Sequence, residues 1–310
     1  MLLLSEADVA RLLDVRQLID ALAGAFIELS AGRASVPARI AARTPDGLLA
    51  AMPGYVRGVL ATKLVTLFPG NHERGLPSHQ ALIAVFDAAT GAPTSVMDGT
   101  HITAMRTAAA SALATRTLAR PDAEVLAIVG AGVQARSHVV AMRALHEWRE
   151  VRVASRTVAH AQALADELQA TAIDTAEAAV HEAGVVCLCT HSAEPVIQRQ
   201  WLAAGAHVNS VGYGDGPEVD AATIDAAAVL AVESRAAFSP PPAGCHELRG
   251  RDPALGSELG EILAGTRPGR TSPDELTLYK SMGHALEDAT AAALVERAAR
   301  AAGAGRDIPL

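Results

Sequence analysis

The run VLAIVGAGVQARSHVVAMRAL, residues 125–145, places three small residues at fixed spacing between two kinds of element. Gly130, Gly132 and Ala135 make a GxGxxA turn between a continuous apolar strand pattern and an amphipathic helix pattern. Gly130 permits a sharp turn, Gly132 lacks a Cβ and lets a pyrophosphate approach the helix N-terminus, and Ala135 is small enough for the helix to lie against the strand. Val133 and Gln134 complete the candidate loop. Glycine-rich turns are common, so it is the strand before and the helix after that identify this one as a nicotinamide-dinucleotide site. The end of the next strand discriminates between cofactors: an acid there accepts from the ribose 2′-hydroxyl of NAD, whereas a 2′-phosphate calls for Arg and hydroxyl donors. Ser155, Arg156 and Thr157 occupy that tip with no acid among them. NADP(H) is therefore favoured, with NAD(H) possible.

These residues need a frame. Apolar positions Val15, Leu18, Ile19, Leu22, Ala25, Phe26 and Leu29 recur at helical spacing, so the first thirty or so residues read as helices stopped by Gly32. From Val36 to Asp98, ARIAAR, LLAAMPG, VLATKLVTLF, ALIAVFD and APTSVMD read as an antiparallel meander separated by turn residues, with Thr90-Gly91 turning one hairpin. An Ala-rich helix follows from Ile102 to Ala119. Between Glu124 and Ser234 apolar strands alternate with helices, the pattern of a parallel sheet covered on both faces. Ser239 to Gly250, with three consecutive prolines, reads as a loop, and a last helix runs from about His284 to Ala301.

Composition narrows the function. A chain of 310 residues suggests two domains, and half the residues are hydrophobic. A formal charge of -8 with 3% aromatics disfavours nucleic acid, which needs clustered cations and stacking rings. Three irregularly spaced cysteines suit neither a disulfide framework nor a zinc site, and Cys187 and Cys189 read as core residues. No metal is expected, because no HxxxH pair or carboxylate partner stands at ligand spacing. Glu218 and Asp220 read as rim charges. No apolar stretch reaches membrane-span length and no basic leader precedes the first acids, so a cytoplasmic protein is expected.

Together, LATKLVTLFPGN, GLPSHQALIAVFDAATGAP, ITAMRTAAASALATRTLAR, the GAGVQA loop and SPDELTLYKSMGHALEDATAA resemble the ornithine cyclodeaminase/mu-crystallin family, in order and over nearly the whole chain. The resemblance implies an α/β protein in which a Rossmann domain, residues 120–273, is inserted into an α+β substrate and dimerisation domain built from residues 1–119 and 274–310. It implies a homodimer formed through the N-terminal sheet, and hydride transfer at C2 of a small imino or amino acid. Arg106 in AMRTAA matches the family's carboxylate-binding arginine, and Arg39 falls where a second substrate-contacting arginine is expected. Lys63 in ATKLV matches the active-site lysine, and Ser281 falls in a turn implied to lie near the nicotinamide. In ornithine-cyclising members a GGDCPGK turn carries a catalytic aspartate. Here the turn is VGYGDGPEVD, Gly214 stands at that position, and Asp215 substitutes only after a local shift. Ala50 stands where those members have a substrate-facing glutamate. The leading expectation is thus an NAD(P)-dependent reductase or dehydrogenase of a small imino or amino acid, such as a cyclic ketimine carboxylate. Ornithine cyclodeaminase is the alternative, and a non-catalytic NADPH-dependent binding protein the second.

Overall fold

The computed structural model describes residues 1–212, 216–241 and 243–309. Two compact units result, one of Met1–Arg106 with His284–Leu310 and the other of Thr107–Gly283.

The first unit is a seven-stranded sheet. Its strands are β1 (Leu2–Leu4), β2 (Ile40–Arg43), β3 (Leu48–Val56), β4 (Val59–Leu67), β5 (His79–Phe86), β6 (Pro93–Asp98) and β15 (Arg306–Asp307), in the order β15-β1-β6-β5-β4-β3-β2. β2 to β6 form the expected antiparallel meander. The hairpin between β5 and β6 turns where Asp87 accepts hydrogen bonds from the backbone of Ala89 and Thr90, with Gly91 at φ +73°. Side chains alternate along β3: Ala50, Met52 and Val56 are buried, whereas Leu49 and Tyr55 are exposed. Lys63 on β4 lies opposite Met52 on one side and Ile83 on the other, so it shares the buried face. Helices α1 (Glu6–Leu12), α2 (Val15–Ser30) and α9 (Ala285–Ala302) belong to this unit. α9 packs on β3, β4 and β5, and alanines at 289, 292 and 299 let it lie close to the sheet. One departure from the sequence reading is β1, three residues too short to show a period, which forms by pairing with β6 and β15.

The second unit is an eight-stranded parallel sheet. Its strands are β7 (Val125–Val129), β8 (Glu150–Ala154), β9 (Thr171–Ile173), β10 (Val185–Leu188), β11 (His207–Ser210), β12 (Val229–Val232), β13 (Gly256–Glu258) and β14 (Thr277–Lys280), in the order β13-β12-β14-β11-β10-β7-β8-β9. Helices α4 (Val133–Arg143), α5 (Val158–Leu168) and α6 (Ala176–Val180) connect the first four strands, with α7 (Ala221–Ala226) and α8 (Leu259–Leu263) later. Every residue of β7, β10, β11 and β12 is buried, as a sheet covered on both faces demands.

The unit edges lie at Arg106 and Gly283, not at the expected 119 and 273, for two reasons. α3 (Thr100–Leu118) gives its later part to the second unit, where Ser111 meets His138 and Thr115 meets Asn209. β14 is inserted between β11 and β12. The TLYK segment hides its strand character, because Thr277 and Lys280 are polar yet buried. Their partners come from elsewhere: Thr277 Oγ1 lies 2.9 Å from His207 Nδ1, and Lys280 bonds Ser210.

Candidate active site

The glycine turn is built as its chemistry requires. Gly130 follows β7 at φ +124°, and a Cβ there would sit 2.4 Å from the carbonyl oxygen of Cys189. The protein itself forbids a side chain. At Gly132 the reason is different: a Cβ would meet nothing within 4 Å, so the space in front of α4 is open. Gly132 is the N-cap of α4 and provides no side-chain acceptor, which leaves the positive end of the helix without an internal anion. Val133 is exposed beside it, and Gln134 carries a buried Oε1 with no hydrogen-bond partner. An open helix N-terminus fits the phosphates of a dinucleotide, and the unpaired amide oxygen, an acceptor, fits one of its hydroxyls. Ala135 is fully buried against the sheet. Ser155, Arg156 and Thr157 follow β8, with Arg156 and Thr157 exposed.

Two buried carboxylates organise the ends of the neighbouring strands. Glu233, after β12, accepts from Ser281 Oγ at 2.7 Å and from the amides of Met282 and Gly283 at 2.9 Å. Ser281 is therefore buried with its hydroxyl hydrogen directed to Glu233. Glu218 is not a rim charge: it is 2% exposed and accepts from Thr190 N, Thr190 Oγ1, Ser210 Oγ and Gly212 N at 2.7–2.8 Å. Beside it Lys280 Nζ donates to Ser210 Oγ, Gly212 O and Glu247 Oε1 at 2.9–3.1 Å, which occupies all three of its hydrogens. Asp220 stays partly exposed at the start of α7, accepting from Thr223. Asp215 and Gly214 lie outside the described residues.

The first unit brings together four buried ions. Lys63 Nζ donates to Asp288 at 3.0 Å, and Arg106 Nε donates to the same carboxylate at 3.1 Å. Arg106 also pairs with Glu287. All four side chains are 5% exposed or less. Glu287 and Asp288 stand in the first turn of α9, where the helix dipole supports negative charge. Burial pushes the Lys63 ammonium down to about 8, Arg106 and Arg39 press the same way, and Asp288 opposes them. Thr103 Oγ1 accepts from Lys63 at 3.4 Å while giving its own hydrogen to Gly99 O. Among the described residues Lys63 donates to these two groups, with Nζ 3.0 Å from both Asp288 oxygens. Arg39, half-buried before β2, acts on the same ammonium.

A sequence profile of the ornithine cyclodeaminase/mu-crystallin family matches residues 1–303. The chain belongs to that family. Ketimine reductase mu-crystallin of Mus musculus is 40% identical over 255 residues, 80% of each chain. The structure of Thermococcus litoralis Delta(1)-pyrroline-2-carboxylate reductase with NADH and L-proline superposes with a TM-score of 0.90 at 34% identity, covering 99% of this chain and all of that one. An archaeal alanine dehydrogenase dimer with bound NAD gives 0.90 at 28% identity, covering 100% and 99%.

In this family member, sequence reasoning missed Glu287, Asp288, Glu233 and the role of Glu218. The detectable signal was two adjacent acids inside the Ala-rich helix pattern HALEDATAAA, which a solvent-facing first turn alone would also explain. Gly130→Ala should lose about 1–3 kcal/mol of stability from backbone strain and should abolish dinucleotide binding. Thermal unfolding and NADPH fluorescence titration measure both; a Gly130→Ala protein that binds NADPH normally would contradict the turn geometry.

Proposed function

We propose that the protein is an NAD(P)-dependent oxidoreductase that reduces a small imino acid, a cyclic ketimine carboxylate above all, at C2, or oxidises the corresponding amino acid. The observation that carries this is the buried Lys63 ammonium, joined to Arg106 through the Asp288 carboxylate and acted on by Arg39. The substrate would bring one carboxylate to these cations. Arg106 and Arg39 would hold that carboxylate. When bound, the nicotinamide dinucleotide supplies the hydride for C2. Lys63 would give its proton to the nitrogen in reduction and recover one in oxidation. The proline and NADH bound by the Thermococcus relative support the substrate class. Ala50, buried on the same face of β3 as Met52, puts no carboxylate there to receive a second amine, which argues against ornithine. The second unit would carry the cofactor and the first the substrate. Free, buried thiols at Cys187, Cys189 and Cys245 suit a reduced, cytoplasmic setting.

The test is oxidation of NADPH or NADH with pyrroline-2-carboxylate and piperideine-2-carboxylate, set against ammonia release from L-ornithine. Because Lys63 is an acid below its pKa of about 8, kcat/KM for reduction should fall as pH rises through about 8, and oxidation should rise through the same range. Steady ammonia and proline production from ornithine would transfer the assignment to the cyclodeaminase.

Arg156 is the basis for preferring NADP(H). Arg156→Ala should weaken NADPH about ten- to a hundredfold, the effect of losing one charge-assisted phosphate contact, and leave NADH unchanged. Equal weakening of both cofactors, read by isothermal titration, would remove that basis.

We also infer a homodimer. The outer face of the first unit's sheet is apolar: Ile40 is 70% exposed, Leu49 45% and Leu82 42%, and Leu64 stands in register with Leu82. Such a patch marks an association surface. Leu82→Arg should halve the mass measured by sedimentation equilibrium; an unchanged mass would place the interface elsewhere.

A further inference from the structure

The chain's 26 basic residues comprise 24 arginines and just two lysines, Lys63 and Lys280, each 2% exposed and each paired with a carboxylate. Everywhere else a cation is needed, arginine provides it. Lys280 donates to three separate groups, whereas among the described residues Lys63 donates to two, Asp288 and Thr103. The difference between a structural and a reactive amine thus lies in the partners of Lys63. From α9 it faces Asp288; from α3, Arg106 and the hydroxyl of Thr103; from the segment before β2, Arg39; Glu287, beside Asp288 on α9, pairs with Arg106.

We propose that Asp288 is a positioning residue for the hydride-transfer reaction, its one carboxylate bridging the Lys63 ammonium and the Arg106 guanidinium so that proton donor and carboxylate clamp are held in one geometry. This rests on the reductase reading above. Without the bridge, the two buried cations lose the carboxylate that accepts from both. Arg106 keeps Glu287 as a partner, but Lys63 keeps only the Thr103 hydroxyl, so the loss falls on the ammonium. Glu287 in turn anchors Arg106. The two adjacent acids therefore have separable roles: Asp288 governs the amine, Glu287 the clamp. Neither is a catalytic residue, since each acts through a neighbour.

The scarcity of lysine makes the test direct. Protein labelled with [13Cε]lysine has two lysine signals, and the Lys63 signal reports its titration with no substrate present. In Asp288→Asn the Lys63 midpoint should fall by about one pH unit or more, while Lys280 stays put and dissociation of NADPH changes less than about twofold. The alkaline limb of imine reduction should move down with the midpoint. Glu287→Gln should raise KM for the imino acid about tenfold or more and leave the Lys63 midpoint within about half a pH unit. An unmoved midpoint in Asp288→Asn, or an equal movement in Glu287→Gln, would overturn the assignment. Should Asp288→Asn not fold, Asp288→Glu decides: retained charge should keep the midpoint within about half a pH unit while kcat falls about tenfold or more, because the longer side chain cannot bridge both cations identically. Wild-type kcat, or a displaced midpoint, in that variant would overturn it. If the wild-type protein reduces no cyclic imino acid while the midpoint still moves in Asp288→Asn, the substrate reading fails, whereas the hold of Asp288 on the Lys63 ammonium stands.

Discussion

One carboxylate shared by two cations constrains much of the first unit. Moving four ions out of water costs several kcal/mol for each, and only close, hydrogen-bonded pairing offsets that cost. Lys63, Arg106 and the Glu287-Asp288 pair come from β4, α3 and α9, and are separated by as many as 225 residues. They meet because the meander places Lys63 on the buried face of a central strand and α9 lies across that strand. The alanines of α9 then serve the ion cluster as well as the packing. A bulkier helix would stand further from the sheet and would separate the carboxylates from their cations.

In the second unit carboxylates play a comparable part. Glu218 and Glu233 each collect several backbone and hydroxyl donors at the ends of β10, β11, β12 and β14. Strand ends in a parallel sheet leave amides without ladder partners, and a buried anion satisfies several at once. The consequence is that the loops after these strands are tied together by buried carboxylates. Open space at Gly132 contrasts with the crowding at Gly130. The first glycine answers to the protein's own backbone, the second leaves room for something outside it.

The use of lysine follows from the same electrostatics. Arginine remains charged in any environment, so it serves for clamps and surface pairs. Burial lowers the Lys63 ammonium, and this chain keeps both its lysines at buried positions. At one, three separate groups take the hydrogens of the amine; at the other, burial and two neighbouring guanidiniums push the ammonium down to about 8 against the pull of Asp288.

Whatever depends on neighbours along the chain was legible in the sequence. The GAGVQA turn, the hairpin at Thr90-Gly91, the apolar parallel strands and the helical period of α2 all express local rules of backbone freedom and side-chain periodicity, and the family motifs pointed to Lys63, Arg106 and Arg39. What only the tertiary structure decided was the fate of polar groups whose partners are distant. Glu218 reads as a rim charge until Thr190, Ser210 and Gly212 surround it, and TLYK reads as no strand until His207 and Ser210 satisfy Thr277 and Lys280. Glu287 and Asp288 look like ordinary acids at a helix start until the fold delivers two cations to them. The reason is physical: periodicity is a property of a segment, but the cost of burying a charge is set by what stands opposite it, and no segment contains its own opposite.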